Sequence, residues 1–283
     1  MTNEQKQQVK EALSRYAARY NTQAEAAASL QGISRNMVSQ VKNGAWELLS
    51  ERTWHQLARQ VGFYCGEWIP ADTSASLLLR ILFADAMQYN MCYGIAVSAG
   101  LGKTFTASHY TRENNNVLYL AGHEDYNRRF FLIDLLAAAG LQPARTMPLM
   151  MESLAADLAA RPDTLLLIDD ADKLKDRVLH LIVLLANRLT GICGVIVMGG
   201  AGLYRRITEG VRLKKAGYDE VYRNFGKRII TLTNLAAGDT GLVCRANGLH
   251  DEELITLITE ECNGSLHPVA GLLQQYSSMR IAA

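Results

Sequence analysis

Apolar positions in the first quarter of the chain recur at helical spacing. Val9, Leu13 and Tyr16 return every three or four residues among Lys, Gln and Glu, which predicts an amphipathic helix over residues 3–20. Further helical patterns cover residues 23–30, 35–42, 50–61 and 74–89. The stretch between the last two, residues 62–73, contains Gly66 and Pro70 and is predicted to be a linker.

Beyond residue 91 the pattern changes to apolar runs separated by helical segments. The runs cover residues 92–97, 117–121, 164–168, 195–198 and 229–232. Continuous apolar runs alternating with helices indicate a mostly parallel sheet covered on both faces. Residues 239–277 read as helices only. The pattern predicts an α/β protein with domains at 1–61 (helical bundle), 74–236 (α/β core) and 237–283 (helical lid), joined by the linker 62–73.

Composition narrows the class of protein but does not identify it. With 49% hydrophobic and 20% charged residues the chain can fill a core, and no apolar stretch of about 18 residues predicts a membrane span. The polar N-terminus lacks a signal pattern, so a cytoplasmic location is expected. Five scattered cysteines argue against a disulfide framework or a zinc site. The net charge of +1 requires any DNA binding to come from local patches.

A glycine-rich loop follows the first apolar run and leads into a helical pattern. It comprises Ser98, Ala99, Gly100, Leu101, Gly102, Lys103, Thr104 and Phe105. Glycines let backbone N–H groups curl around phosphates, a lysine such as Lys103 reaches the β- and γ-phosphates, and a hydroxyl such as that of Thr104 binds Mg²⁺. Val97 departs from the usual GxxxxGK[ST] pattern, and a chance glycine turn is the alternative. The loop predicts a site for ATP and Mg²⁺.

The run at 164–168 ends in a cluster of acidic residues. Asp169 and Asp170 either cap the next helix or form a Walker B end, where Asp169 would hold Mg²⁺ beside the P-loop. Their separation from Lys103, about 65 residues, fits a sheet that brings both strand ends to one edge. The spacing therefore favours the second interpretation.

With the fourth strand and a helical C-terminus, these motifs resemble the AAA+ superfamily over roughly residues 74–277. The resemblance implies ATP hydrolysis, with Asp170 orienting the attacking water in place of the usual glutamate and turnover therefore slow. It also implies an arginine acting on a neighbouring subunit, for which Arg223 and Arg228 are candidates, Arg223 being preferred; ordinary surface roles remain the alternative. His267 stands about where a second sensor arginine is usual. Gly199 and Gly200 follow the fourth strand, so the usual polar sensor there is missing or moved.

Residues 23–44 resemble a helix-turn-helix of the phage repressor type. Gly32 would make the turn, while Ile33, Val38 and Val41 would face the core. The outward side chains can donate and accept hydrogen bonds to bases and phosphates. They are Ser34, Arg35, Asn36, Ser39, Gln40 and Lys42. A protein-binding helical bundle is the alternative.

An N-terminal module of this kind on such an ATPase resembles the family of phage Mu transposition protein B and its transposon relatives. That resemblance implies ATP-dependent assembly on double-stranded DNA as a homo-oligomer or helical filament, hydrolysis stimulated by DNA, and activation of a partner transposase. A basic segment of the core is a further candidate for phosphate contacts, or else a solvated helix face. Its residues are Arg205, Arg206, Arg212, Lys214 and Lys215.

Two other functions remain open at the level of sequence. One is a helicase loader, which shares the AAA+ core but seldom carries this N-terminal module. The other is a transcriptional repressor whose ATPase core only senses nucleotide, an interpretation suggested by Val97, Asp170 and the missing polar sensor. A repressor would prefer one operator, whereas a filament former would cover any duplex and need ATP.

Overall fold

The computed structural model of the chain describes residues 3–17, 20, 22–30, 32–61, 68–227 and 229–280. The chain divides into two compact units. One comprises residues 1–69, 240–263 and 268–283, and the other comprises residues 70–239 and 264–267. The first unit is helical, and the second contains the parallel sheet.

The N-terminal part of the first unit is a small helical bundle. Its helices are α1 (Asn3–Ala17), α2 (Gln23–Ala28), α3 (Arg35–Asn43) and α4 (Glu51–Gln60), with a 3-10 turn at Trp46–Leu48. The predicted core positions of α1 and α3 are buried together with Trp54 and Leu57 of α4. The amphipathic periodicity thus identified all four helices, and their ends differ from prediction by one to three residues.

Local signals in the sequence set the limits of α2 and α3. Thr22 and Glu25 form a capping box at the start of α2. The Ser34 side chain accepts a hydrogen bond from the Met37 N–H group at the start of α3. Gly32 and Gly44 take positive φ angles of 68° and 80°, which allows the turn before α3 and the left-handed end of α3.

The C-terminal helices are α12 (Asp239–Ala246), α13 (Glu252–Cys262) and α14 (Val269–Arg280), as the helical pattern predicts. Asn247 follows α12 and is almost fully buried, and its amide group forms two hydrogen bonds with the backbone of Ile69. The Asn247 Oδ1 atom accepts from the Ile69 N–H group at 2.9 Å, and Nδ2 donates to the Ile69 carbonyl at 3.1 Å. Residues 68–73 of the predicted linker have no helix or strand, and residues 62–67 lie outside the described residues.

The second unit contains a five-stranded sheet in the order β2-β3-β4-β1-β5, with every pairing parallel. The strands are β1 (Cys92–Val97), β2 (Val117–Ala121), β3 (Thr164–Asp169), β4 (Cys193–Gly199) and β5 (Ile230–Leu232). The helices are α5 (Ser74–Tyr89), α6 (Lys103–Glu113), α7 (Arg128–Ala138), α8 (Met147–Ala159), α9 (Asp176–Arg188), α10 (Ala201–Arg212) and α11 (Tyr218–Val221). A 3-10 turn at Ala171–Lys173 and a π-helical turn at Tyr222–Gly226 complete it.

Helices cover both faces of this sheet, as the continuous apolar runs predict. Leu165 and Leu167 of β3 belong to a core shared with α5 and α6, whereas Leu166 and Ile168 belong to a core shared with α7, α8 and α9. Alternate residues of one buried strand therefore face opposite helical layers. Strand β3 also runs one residue further than predicted, so Asp169 lies inside the sheet. This is the α/β architecture, with a parallel sheet between helical layers, that the sequence predicts.

No described helix combines the length and apolar character that a membrane crossing needs. Four cysteines are free thiols: Cys92, Cys193, Cys244 and Cys262. Cys65 lies outside the described residues.

Candidate nucleotide site

The glycine-rich loop joins β1 to α6 at the carboxyl edge of the sheet. Gly100 and Gly102 have φ angles of 82° and 81°, a left-handed conformation that residues with a side chain rarely adopt. Gly102 precedes the first turn of α6, where no side chain of the described residues caps the helix. The backbone N–H groups and the positive end of the helix dipole are therefore available to an anion.

Lys103 and Thr104, at the start of α6, meet the end of β3. The Lys103 ammonium group donates to Asp169 Oδ1 and, at 2.7 Å, to Asp170 Oδ1. The Thr104 hydroxyl donates to Asp169 Oδ2 at 2.7 Å. Asp169 is completely buried, so its charge depends on these partners. The structure thus brings together the P-loop and the acidic strand end.

Tyr119 of β2 is a member of this cluster that sequence reasoning missed. Its hydroxyl donates to Asp169 Oδ2 at 3.3 Å. Burial, together with the neighbouring Asp169 carboxylate, raises the pKa of Tyr119 above its ordinary value, so the phenol stays a donor. Tyr119 is the third residue of an otherwise apolar run, and only the pairing of β2 with β3 could have indicated its role.

Asp170 is held between two lysines. Its backbone is left-handed, with φ of 49°, and its Oδ2 atom accepts from Lys173 at 2.8 Å while Oδ1 accepts from Lys103. Partial burial opposes ionisation, but the hydrogen bonds from Lys103 and Lys173 outweigh it and hold the pKa of Asp170 below its usual range. Asp170 is therefore an anion at neutral pH.

The residues fit a nucleotide with its metal ion. Thr104 and Asp169 present a hydroxyl and a carboxylate, the hard oxygen donors that Mg²⁺ prefers, within hydrogen-bonding distance of each other. Lys103 supplies the cation for the phosphates, and the left-handed glycines supply the backbone curl. Mg²⁺ bound there would offset the negative charge that develops on the phosphates during hydrolysis.

The segment 264–267 lies against the P-loop. The Leu266 N–H group donates to the Gly100 carbonyl at 2.7 Å. A Cβ atom on Gly100 would meet the Ser265 hydroxyl oxygen at 2.0 Å, which leaves room for glycine only. The His267 N–H group donates to Ser265 Oγ at 3.2 Å and its side chain is exposed. His267 thus directly follows Leu266, which contacts the P-loop, and its role with nucleotide stays a prediction.

Arg223 lies on the π-helical turn that precedes β5. A Cβ atom on Gly94 of β1 would meet the Phe225 carbonyl oxygen at 2.8 Å, so the turn packs closely against the strand that leads to the P-loop. Arg223 itself is exposed on this supported turn. Its action on a second subunit remains a prediction, and Arg228 lies outside the described residues.

The predicted DNA-reading residues occupy α3 and its N-cap. Ser34, Arg35 and Asn36 are exposed, whereas Ser39, Gln40 and Lys42 are half-buried. Residues Ile33, Val38 and Val41 are buried, as predicted for the inner face. The inner face of α3 is therefore packed as the helix-turn-helix prediction requires, and DNA contact by these residues remains a prediction.

The predicted basic segment divides into exposed and internal residues. Arg205 is exposed and pairs with Glu209, and Lys214 and Lys215 are exposed beyond the end of α10. Arg206 instead points inward. It pairs with Asp176 at 2.6 Å and donates to the Asp172 carbonyl at 3.0 Å. Its guanidinium group supports the turn after β3, so we leave Arg206 out of any DNA-binding surface.

Comparison with known proteins gives one family match. Residues 91–207 match the family model described as an AAA domain. No curated protein matches the chain by sequence.

Solved structures with some likeness include a DNA replication initiation factor, 12% identical with a TM-score of 0.44 over 71% of this chain and 60% of that one. Another is Drosophila ORC bound to GC-rich DNA and Cdc6, 11% identical with a TM-score of 0.39 over 66% of this chain and 65% of that one. The chain spans less than two thirds of the length of both structures.

The matched stretch contains β1, the P-loop that follows it and the acidic end of β3. The core of the chain is therefore similar to an AAA domain over residues 91–207.

Proposed function

We propose that the chain is an ATP-dependent DNA-binding ATPase that assembles on double-stranded DNA and directs a partner transposase to it. The observation that carries the ATPase part is the cluster of Lys103, Thr104 and Asp169 at one edge of the sheet. The DNA part is supported by a helix-turn-helix whose inner face is buried and whose outer face bears hydrogen-bonding side chains. The transposase partner rests on the resemblance of this organisation to transposition regulators.

In the proposed reaction the chain's residues bind the nucleotide, orient the attacking water and neutralise the charge on the phosphates. With nucleotide bound, Lys103 would exchange its carboxylate partners for the β- and γ-phosphates, while Thr104 and Asp169 would hold Mg²⁺. Carboxylates beyond β3 orient the attacking water. Arg223 of one subunit stabilises the transition state in the site of its neighbour, so the active species is an oligomer.

Basic side chains in two parts of the chain, α3 and the core, favour contact with DNA. Arg35 and Lys42 of α3, together with Arg205, Lys214 and Lys215 of the core, supply cations for backbone phosphates. Asn36 and Gln40 carry amide groups that can donate to and accept from base edges.

Electron microscopy of the protein on random duplex DNA tests this proposal. Filaments that form with ATP, but not with ADP or without nucleotide, would support it. Discrete particles on rare sites that ignore nucleotide would indicate a repressor. ATP-dependent complexes with a replicative helicase, and no filaments, would indicate a helicase loader.

A further inference from the structure

The end of β4 lies between the two halves of the nucleotide site but ends in glycine. Gly199 of β4 pairs with Ala96 of β1, just before the P-loop, and Val197 pairs with Ile168 of β3, just before Asp169. Neighbouring strands are about 4.8 Å apart, so the end of β4 is one strand spacing from both motifs. Because Gly199 and Gly200 are glycines, β4 itself places no side chain at this end of the strand.

Asp172 supplies a carboxylate there from the 3-10 turn that follows β3. The Gly200 N–H group donates to Asp172 Oδ1 at 3.2 Å. A Cβ atom on Gly199 would lie 2.7 Å from the same oxygen, so the carboxylate occupies the space of a side chain at position 199. The Asp172 carbonyl accepts from Arg206 at 3.0 Å, which fixes the backbone of the turn.

The two carboxylates beyond Asp169 are in different situations. Both oxygens of Asp170 accept from lysine ammonium groups, Oδ1 from Lys103 and Oδ2 from Lys173. Asp172 Oδ2 accepts no hydrogen bond from the described part of the chain. That oxygen can therefore accept one from water.

We propose that Asp172, rather than Asp170, is the carboxylate that orients the attacking water in ATP hydrolysis. The inference rests on the proposed ATPase function. The water oxygen forms a bond to the γ-phosphorus, and the bond from that phosphorus to the β–γ bridging oxygen breaks. A water proton passes to Asp172 Oδ2 and then to solvent, leaving ADP and inorganic phosphate. Asp170 instead keeps its pairing with Lys173 when Lys103 moves to the phosphates.

The test compares Asp172→Asn, Asp172→Ala and Asp170→Asn in the full chain, with the exposed Asp219→Asn as a matched control. Steady-state hydrolysis gives kcat and KM, equilibrium titration gives ATP affinity, and thermal unfolding gives Tm. Loss of a general base typically costs about 10²–10⁴-fold in rate. We expect Asp172→Asn to lower kcat by about 100-fold or more while ATP affinity stays within about threefold.

The asparagine variant separates a chemical role from a structural one. Its amide oxygen still accepts from Gly200, so Tm should stay at the wild-type value, whereas Asp172→Ala loses both the acceptor and the charge. Wild-type kcat in Asp172→Asn, or a larger loss in Asp170→Asn, would overturn the assignment to Asp172 alone. A wild-type chain that binds ATP without hydrolysing it would overturn the proposed ATPase function as well.

Discussion

The Thr104 hydroxyl donates to Asp169 Oδ2 at 2.7 Å although 65 residues separate the two in sequence. The contact exists because β3 and β1 flank β4 in a parallel sheet, so their carboxyl ends reach the same edge. Lys103, one residue earlier, completes the arrangement by pairing with both Asp169 and Asp170. The site thus follows from the strand order rather than from proximity along the chain.

Replacing Lys103 should remove nucleotide binding and also weaken the fold. Lys103→Ala leaves the buried Asp169 with neutral donors only, and we expect a loss of about 1–3 kcal/mol in the free energy of unfolding. ATP affinity should fall at least 100-fold. Fluorescent-nucleotide titration and urea unfolding measure the two effects, with the exposed Lys175→Ala as control. Unchanged ATP affinity in Lys103→Ala would contradict the assigned site.

Two adjacent arginines should behave differently when each is replaced by alanine. Arg206 bonds to Asp176 and to the Asp172 carbonyl, so Arg206→Ala should cost about 1–3 kcal/mol in unfolding free energy. Arg205 is exposed and pairs with Glu209, and its loss should cost about 0.5 kcal/mol or less. Denaturant unfolding of both variants is the measurement. Equal losses would mean that Arg206 does not support the turn.

Arg223→Ala should bind ATP normally and fail to hydrolyse it, because in the proposed function its guanidinium group acts on the neighbouring subunit. A mixture of Arg223→Ala and Lys103→Ala subunits should regain hydrolysis, since the Lys103 variant supplies Arg223 to an intact site. Phosphate release from each variant and from the mixture is compared at equal total protein. If the mixture stays as inactive as its components, Arg223 does not act in trans.

Acid should erase the stabilisation that ionised Asp170 provides. The folded pKa of Asp170 lies below the ordinary value of 3.8, so its contribution is full above that value and is lost as pH falls through the folded pKa. Asp170→Asn should therefore be less stable than wild type at pH 7, with the difference shrinking below about pH 4. Urea unfolding across this range tests the sign. A difference that grows on acidification would contradict it.

Substitutions on α3 should separate phosphate contacts from base contacts. Arg35→Ala and Lys42→Ala should weaken binding to every duplex and lower the slope of log affinity against log salt by about one each. Asn36→Ala and Gln40→Ala should leave that slope unchanged and alter preference among sequences. Fluorescence anisotropy over a salt series measures both effects. Arg52→Ala, an exposed arginine on α4, serves as control and should match wild type.

Much of the fold could be predicted because its signals are local. The buried runs of β1, β2 and β3 and the N-cap at Ser34 are encoded by a few consecutive residues. The P-loop and Asp169 were found for the same reason. What could not be predicted depends on which strands are neighbours. Tyr119 reaches Asp169 through the pairing of β2 with β3.

The inward orientation of Arg206 was equally hidden in the sequence. It stands beside the exposed Arg205 in a basic stretch, and the helical pattern alone assigns both to a possible DNA surface. Its partners, Asp176 and the Asp172 carbonyl, lie about 30 residues earlier and meet it only after β3 and β4 pair. In the sequence, Asp172 is marked only as one member of an acidic cluster. Its position beside Gly199 and Gly200 depends on the folded structure and is not visible in the sequence.

The dependence of DNA binding on nucleotide tests the central claim most directly. Anisotropy titrations on several unrelated duplexes would compare ATP, ADP and no nucleotide, for the wild type and for Lys103→Ala. We predict tight binding to every duplex with ATP only. Lys103→Ala should bind DNA no more tightly with ATP than without nucleotide. Equal binding under all three conditions, or in the variant, would contradict an ATP-gated DNA-binding ATPase.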